Sequence, residues 1–400
     1  MRPRLGSGQA FRFSTKSFAV DINPPPRCHG FVAAVQEQSS RHSINAVLCV
    51  GRDAFDRFRG VFRHLLVGLI DQAVAVRILS DYPRAQTLSL GPIQTVIHEP
   101  IVWPFRNRRI DQVLDAISVQ APTSVHAASR TTYALGRAIA DAYEADLFLQ
   151  VNSLADCEAL RKSGVDKVGR FFAVSQPLAA ALTDQLRVPA EQVVLVRPGV
   201  LAAQEAACFA DLKAMPSILC LSGFDRESGV ERLIEATDLL RQRGHTFMVF
   251  LLGRGPTERA IRRMIRERKL SAFVTIARPA GDLSDAMRSA DLFVRPSADT
   301  IISVASVEAM GAGLACVSVP AGVGDHFRGG ETAILCDKLS AAALADAIEK
   351  LLTDRELARR LAVAGMEYVR ANHAASTMAQ ITADAYRKLA LSRAALSIRE

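Results

Sequence analysis

The carboxylate of Glu308 stands alone in an apolar segment. It lies in PSADTIISVASVEAMGAG, residues 296–313, and the four residues on either side of it are apolar or small. An ionised oxygen forms stronger hydrogen bonds than a neutral one, so a carboxylate in this position suits the hydroxyl groups of a ligand. The alternative is a structural role, in which the side chain reaches solvent or an arginine.

Two pairs of glycines follow apolar runs that are typical of strands. Gly253 and Gly255 come after VFLL and open a helical pattern, and Gly322 and Gly324 come after LACVSVP. Backbone without side chains can approach a phosphate closely, and a helix N-terminus favours anions. Turn geometry alone explains the same glycines equally well.

Two series of alternating strands and helices must position these residues. The first contains the apolar runs INAVLCVG, AVAVRILS, TSVHAAS and DLFLQVNS, and the second contains SILCLSG, TFMVFLLG, DLFVRPS and LACVSVP. Near-continuous apolar strands separated by amphipathic helices predict parallel sheets covered on both faces. We expect an α/β protein with two facing Rossmann-like, doubly wound domains, and ligands in the cleft beyond the strand ends.

The length of 400 residues also favours two domains over one. We predict a first domain at 44–203 and a second domain at 204–375. A last helix at 376–400 is predicted to pack back on the first domain, and residues 1–43 form a tail of uncertain order. The first 20 residues are basic and contain no acid, which is typical of a transit peptide, a flexible tail or an upstream-assigned start codon.

The composition limits the partners. The net charge of +8 is compatible with anionic partners, but neither a zinc-finger spacing nor an RNA-binding aromatic signature accompanies it, so we expect no nucleic acid. The basic segment IRRMIRERKL, residues 261–270, predicts either a helix with a solvated face or one that touches an acidic membrane surface. Seven scattered cysteines without a C-x-x-C pair indicate a reducing, cytoplasmic location and no metal site.

Six segments in the same order resemble the retaining family 4 (group 1) glycosyltransferases of the GT-B fold. The resemblance begins near residue 44 and is closest from Val193 to Leu389. The segments are AVSQPLAAALTDQLRVPAEQVVLVRPGV, SGVERLIEA, VFLLGRGP, LSDAMRSADLFVRPS, PSADTIISVASVEAMGAG and AGVGDHFRGGETAILC.

The resemblance implies that a sugar is transferred, with retention of configuration, from a nucleotide-sugar donor to a glycan, lipid-linked or small acceptor. The first domain would bind the acceptor and the second the donor, without a metal or another cofactor. It also implies polysaccharide biosynthesis in the cytoplasm or at the membrane surface. Glu308 would hold the ribose, Gly253 and Gly255 would lie near the nucleotide, Arg226 would assist the diphosphate, and Ser303 would face the donor.

The sequence departs from the family pattern at four positions. Thr300 stands where the family has the first of two glutamates, and Gly223 and Ser228 stand where it has an Arg and a Lys for the donor phosphates. Asn152 replaces a histidine near the reacting centre, for which His126 is the nearest alternative. We retain Thr300 and Gly223 as donor-side positions, and His126 and Asn152 as catalytic candidates.

These departures favour an alternative function, in which the protein is a catalytically impaired GT-B relative that acts as partner, scaffold or regulator of a glycosyltransferase. HEPIVWPFRNRR, residues 98–109, contains the only tryptophan. It is either an acceptor-side loop or a segment in which Trp103 has an ordinary packing role.

Overall fold

The structure is a computed structural model that describes residues 44–101, 104–278, 283–297, 301–320 and 322–397. Residues 1–43, Trp103 and Thr300 lie outside the described residues, so the predictions made for them stay predictions. The region Ser43–Glu400 forms one compact unit.

The first sheet has seven parallel strands in the order β3-β2-β1-β4-β5-β6-β7. Its strands are β1 Asn45–Cys49, β2 Ala75–Ser80, β3 Gln94–Ile97, β4 Ser124–Ala127, β5 Asp146–Val151, β6 Arg170–Ala173 and β7 Val193–Leu195. Its helices are α1 Arg52–Asp71, α2 Arg106–Ile117, α3 Tyr133–Tyr143, α4 Leu154–Ser163 and α5 Gln176–Ala180. The strands β1 and β4 are buried along nearly their whole length, as their apolar sequences predict.

The second sheet has six strands in the order β10-β9-β8-β11-β12-β13. Its strands are β8 Ser217–Leu221, β9 Met248–Leu252, β10 Val274–Ala277, β11 Leu292–Arg295, β12 Ala315–Ser318 and β13 Ala333–Leu335. The helices that follow are α6 Val230–Gln242, α7 Glu258–Glu267, α8 Ser284–Arg288, α9 Val304–Gly311, α10 Ala341–Thr353, α11 Arg355–Asn372 and α12 Ala375–Ser397. All its strand pairs are parallel, so the predicted pair of doubly wound sheets is confirmed.

The last helix, α12, returns to the first sheet and packs along α1. A Cβ added at Gly68 of α1 would lie 2.3 Å from the Cβ of Ala379, so glycine is needed for the two helices to approach this closely. Tyr386 of α12 is buried against the stacked rings of Phe148 and Phe172. The end of the chain therefore contributes to the first hydrophobic core.

The chain crosses between the sheets twice, and the two crossings lie side by side. The backbone N–H of Val200 donates to the carbonyl of His373 at 2.8 Å. A Cβ at Gly199 would lie 2.7 Å from the Cα of Ala375. Among the described residues, no helix is both long and apolar enough to cross a membrane.

Candidate functional site

The strand order of each sheet reverses at one point, and these two points define the site. The reversal lies between β1 and β4 in the first sheet and between β8 and β11 in the second. In doubly wound sheets, ligands bind in the crevice beyond the carboxyl ends of the strands at such a reversal. Most residues predicted for the donor follow β8, β9 or β11.

The loops at the reversal of the second sheet depend on glycine because their backbones touch. Gly229 has a φ of +70°, and a Cβ there would lie 1.8 Å from the carbonyl oxygen of Pro296. At Gly253 a Cβ would lie 2.0 Å from the carbonyl oxygen of Ser222. At Gly255 it would lie 2.2 Å from the carbonyl oxygen of Phe224. Loop packing alone therefore accounts for these glycines, and their contact with a nucleotide stays a prediction.

Glu308 lies on α9 and faces the first domain. Its side chain is half-buried, and its Oε1 lies 3.4 Å from the position that a Cβ on Gly60 of α1 would occupy. Ser303 is the N-cap of α9, and its hydroxyl accepts a hydrogen bond from the backbone N–H of Ser306 at 3.2 Å. The predicted ribose residue is thus on the cleft side of its helix, whereas the Ser303 hydroxyl already caps that helix.

Arg226 and Gly223 lie in the exposed loop that follows β8. Asp225 holds this loop: its carboxylate accepts from the backbone N–H of Glu227 at 3.0 Å, and its carbonyl accepts from the hydroxyl of Ser228 at 2.7 Å. Arg226 is exposed and has no ion pair among the described residues. Its guanidinium is therefore available to an anion at the edge of the crevice.

The structure adds a cation that we did not predict from the sequence, Arg295. It ends β11, is only 8% exposed, and its Nη1 lies 3.5 Å from the hydroxyl of Ser306 in the first turn of α9. Burial lowers its pKa to about 10, so it stays charged at neutral pH. An arginine that ends an otherwise apolar run, DLFVRPS, is the signal that could have identified it.

His126, one of the two catalytic candidates, lies inside the first domain. It is 1% exposed, its Nδ1 is 2.8 Å from the hydroxyl of Tyr386, and its Nε2 is 3.1 Å from Oε1 of Gln150. Burial lowers its pKa to about 3, so the ring is neutral. Because the Gln150 oxygen can only accept, Nε2–H donates and Nδ1 accepts from the tyrosine.

Asn152, the other catalytic candidate, is 2% exposed. Its side-chain amide donates to the carbonyl of Ala128 at 2.7 Å and accepts from Nε2 of Gln150 at 2.6 Å. The side-chain polar groups of His126 and Asn152 are therefore occupied inside the domain. A catalytic role for either residue stays a prediction.

A buried acid, Asp156, holds together the loops that follow β4 and β5. Its carboxylate accepts from the backbone N–H groups of Arg130 at 3.3 Å and Asn152 at 2.8 Å, and from the hydroxyl of Ser153 at 3.0 Å. Burial raises the pKa of this carboxyl above its ordinary value. These contacts fix the backbone at the cleft edge of the first sheet.

A second crevice opens at the reversal of the first sheet. Asp53 accepts from the hydroxyls of Ser129 at 3.0 Å and Thr131 at 2.8 Å, which joins the ends of β1 and β4. An open cavity of about 470 Å³ lies here, lined by Arg52, Asp53, Asp56, Arg57, Asp81 and Thr131. Such charged and hydroxyl groups are suited to a polar ligand with several hydroxyl groups.

The comparisons with known proteins agree with this geometry. Residues 215–354 match the family described as glycosyl transferases group 1. The matched segment contains all the described donor-side residues (Gly223, Arg226, Gly253, Gly255, Arg295, Ser303 and Glu308), whereas His126 and Asn152 lie outside it.

Two curated relatives match part of the chain at low identity. An alpha-D-kanosaminyltransferase of Streptomyces kanamyceticus is 29% identical over 179 residues, which cover 44% of this chain and 46% of the relative. A GDP-mannose-dependent alpha-(1-6)-phosphatidylinositol monomannoside mannosyltransferase of Mycobacterium tuberculosis is 26% identical over 181 residues, which cover 42% and 46%. The chain spans just under half the length of the curated relatives it matches.

Solved structures match over most of the chain. A glycosyltransferase from Rickettsia africae superimposes with a TM-score of 0.70 at 15% identity, covering 87% of this chain and 98% of that one. Sucrose-phosphate synthase from Thermosynechococcus elongatus gives a TM-score of 0.72 at 19% identity, covering 87% and 100%. Anabaena Alr3699/HepE in complex with UDP and glucose gives 0.69 at 14%, covering 85% and 98%. The fold is therefore GT-B, as predicted.

Proposed function

We propose that this protein transfers a sugar from a nucleotide-sugar donor to an acceptor hydroxyl, with retention of configuration. One observation carries the proposal. Glu308, in the segment that matches the group 1 glycosyltransferases, faces Gly60 of α1, and the first two turns of α1 line the polar cavity at the reversal of the first sheet. A reaction between two substrates needs two such sites on either side of one cleft.

On the donor side, Glu308 accepts hydrogen bonds from the ribose hydroxyls. The diphosphate lies toward the N-terminus of α9, where the helix dipole and the buried charge of Arg295 are both positive. Arg226 reaches the diphosphate from the exposed loop. When the bond between the sugar and the diphosphate breaks, these groups stabilise the negative charge that develops on the leaving diphosphate.

On the acceptor side, the cavity beside Asp53 receives a glycan, a lipid-linked sugar or a small polyol. Carboxylates accept hydrogen bonds from hydroxyl groups and arginines donate to them, so the lining of this cavity fits such acceptors. For a lipid-linked acceptor, the exposed arginines of α7 (Arg259, Arg262, Arg263 and Arg266) suit an acidic membrane surface. The proposed reaction requires no metal or cofactor.

The alternative function is a catalytically impaired relative that acts as partner, scaffold or regulator of a glycosyltransferase. The burial of Asn152 favours it, because this side chain is 2% exposed and both its amide nitrogen and its amide oxygen form hydrogen bonds inside the first domain. The alternative predicts nucleotide binding without sugar transfer.

The test is a titration with UDP, GDP, ADP and their sugar conjugates while thermal stability is followed, on the wild type and on Glu308→Gln. A ligand at 100 times its dissociation constant stabilises the wild type by about 2.7 kcal/mol. Glu308→Gln removes the charge that accepts from ribose and should weaken binding about tenfold, whereas Glu367→Gln, at an exposed position of α11, should not. If no nucleotide stabilises the wild type, the proposal is wrong; if binding occurs without transfer, the alternative is favoured.

A further inference from the structure

Three apolar side chains of the second domain are buried in the hydrophobic core of the first. Ile302 is 4% exposed, Val304 is 8% exposed and Val323 is fully buried, and all three belong to the cluster built around the first sheet. They lie at the carboxyl edge of the second sheet: Ile302 in the loop after β11, Val304 at the start of α9, and Val323 in the loop after β12. The edge that should be open to a ligand is therefore closed by aliphatic side chains.

The backbone reinforces this contact. Ser153, which follows β5, forms an isolated antiparallel bridge with Ile301. Ser153 is itself held by Asp156, whose carboxylate accepts from its hydroxyl at 3.0 Å. The segment that carries Ile302 is thus attached to a rigid part of the first domain.

An ion pair joins the domains beside the apolar contact. Nη2 of Arg197, which follows β7, lies 2.6 Å from Oδ2 of Asp325, two residues after Val323. The same oxygen accepts from the backbone N–H of Gln176 at 3.2 Å, and the hydroxyl of Tyr368 donates to the carbonyl of Asp325 at 3.2 Å. Both side chains of the pair are about one-fifth exposed, so solvent screens the pair only in part.

The polar groups around this ion pair are incompletely satisfied. Five buried atoms have no hydrogen-bond partner among the described residues: Nε of Arg197, Oδ1 of Asp325, both ring nitrogens of His326 and Nε2 of His373. Buried polar groups are normally paired, and an unpaired group makes the closed arrangement less stable. Separation of the domains would expose these groups to water, and their hydration would offset part of the free energy lost with the apolar contacts. Apolar contacts therefore stabilise the closed arrangement, and the unpaired polar groups reduce the free energy that is needed to open it.

We propose that Ile302, Val304, Val323 and the Arg197–Asp325 pair form a latch that holds the two domains together across the cleft. The latch is autoinhibitory: a ligand reaches the crevice of the second sheet only after these contacts separate. Glu308 lies six residues after Ile302 and faces Gly60 of α1, so the movement that opens the latch also frees the space in front of Glu308. The proposal does not depend on what the cleft binds.

The test uses variants in which the latch is weakened, and no ligand is added. Ile302→Ser removes an apolar contact, Asp325→Asn removes the charge, and Arg197→Asp combined with Asp325→Arg reverses the pair. The matched control is Arg243→Gln, because Arg243 pairs with Glu349 at 2.5 Å within the second domain. Hydrogen exchange is followed in peptides that contain residues 151–153 and 301–304, and the radius of gyration is measured in solution.

Ile302→Ser and Asp325→Asn should each accelerate exchange in these peptides at least tenfold, which corresponds to about 1.4 kcal/mol, and should enlarge the radius of gyration. Protection in β1 and β8 should stay at the wild-type level, and the reversed pair should restore slow exchange. Unchanged exchange in both single variants would overturn the proposal, as would equal acceleration in Arg243→Gln. The conservative Asp325→Asn keeps the test decisive if Ile302→Ser does not fold.

A second measurement separates this proposal from the proposed function. With UDP as the probe, both single variants should raise the association rate constant about tenfold, because binding that waits for a conformational change is slow. If UDP binds neither the wild type nor the variants, the proposed function fails while the exchange experiment still decides the latch. If UDP binds and its association is equally fast in wild type and variants, the latch does not control access and the proposal is wrong.

Discussion

Gly229→Ala probes the packing of the two loops that form the crevice of the second sheet. Gly229 has a φ of +70°, and alanine in this left-handed conformation costs about 1–2 kcal/mol. The new Cβ would also lie 1.8 Å from the carbonyl oxygen of Pro296, which is backbone and cannot turn away. Forcing such a group into a packed site typically costs about 1–3 kcal/mol. We therefore expect the free energy of unfolding to fall by about 2–5 kcal/mol.

The matched control is Gly244→Ala. Gly244 has a φ of +88°, but a Cβ there would meet nothing within 4 Å, so this variant carries the backbone strain alone. The free energy of unfolding is measured by urea titration followed by circular dichroism, and the difference between the variants isolates the collision with Pro296. If Gly229→Ala is as stable as Gly244→Ala, the loops do not touch as described, and the argument that packing explains these glycines fails.

Two further predictions concern buried histidines. Tyr386→Phe removes the hydroxyl that donates to Nδ1 of His126 and should lower the free energy of unfolding by about 1–3 kcal/mol, because a buried acceptor is left unpaired. Tyr82→Phe, whose hydroxyl has no hydrogen bond among the described residues, should be neutral in the same urea titration. Burial lowers the pKa of His126 and His326 to about 3 and of His373 to about 4 from an ordinary 6.5. Between these values the histidines bind protons in the unfolded chain but not in the folded protein. The free energy of unfolding should therefore fall as the pH drops from about 6.5 to about 4, by at most about 1.4 kcal/mol per pH unit for each histidine. Urea titrations at pH 7, 6 and 5 with equal midpoints would contradict this.

The fold could be predicted from the sequence because its signals are local. Runs such as INAVLCVG and LACVSVP are apolar throughout, which is typical of strands covered on both faces, and helical patterns separate them. The reversal of strand order follows from the same alternation. Nothing beyond neighbouring residues is needed for these inferences.

The site was harder to predict because its residues are defined by distant contacts. His126 ends a strand, and sequence alone does not show that its ring meets Tyr386, 260 positions later. Arg295 ends an apolar run, but the sequence does not show that its side chain is buried beside Ser306 of α9. The glycines at 253 and 255 suggest a phosphate site, whereas contacts with Ser222 and Phe224 explain them without one.

The segment 301–308 combines two roles: it carries Ile302 of the proposed latch and Glu308, the residue proposed for ribose. Ile302 closes the cleft, and Glu308, on the helix that begins two residues later, is the residue we propose for ribose. A rigid helix joins them, so a ligand that draws Glu308 away from α1 must also draw Ile302 out of the first core. Ligand binding and opening of the latch are then coupled: each makes the other more favourable by the same free energy. Under this reasoning, Ile302 regulates access to the site and is compatible with its use.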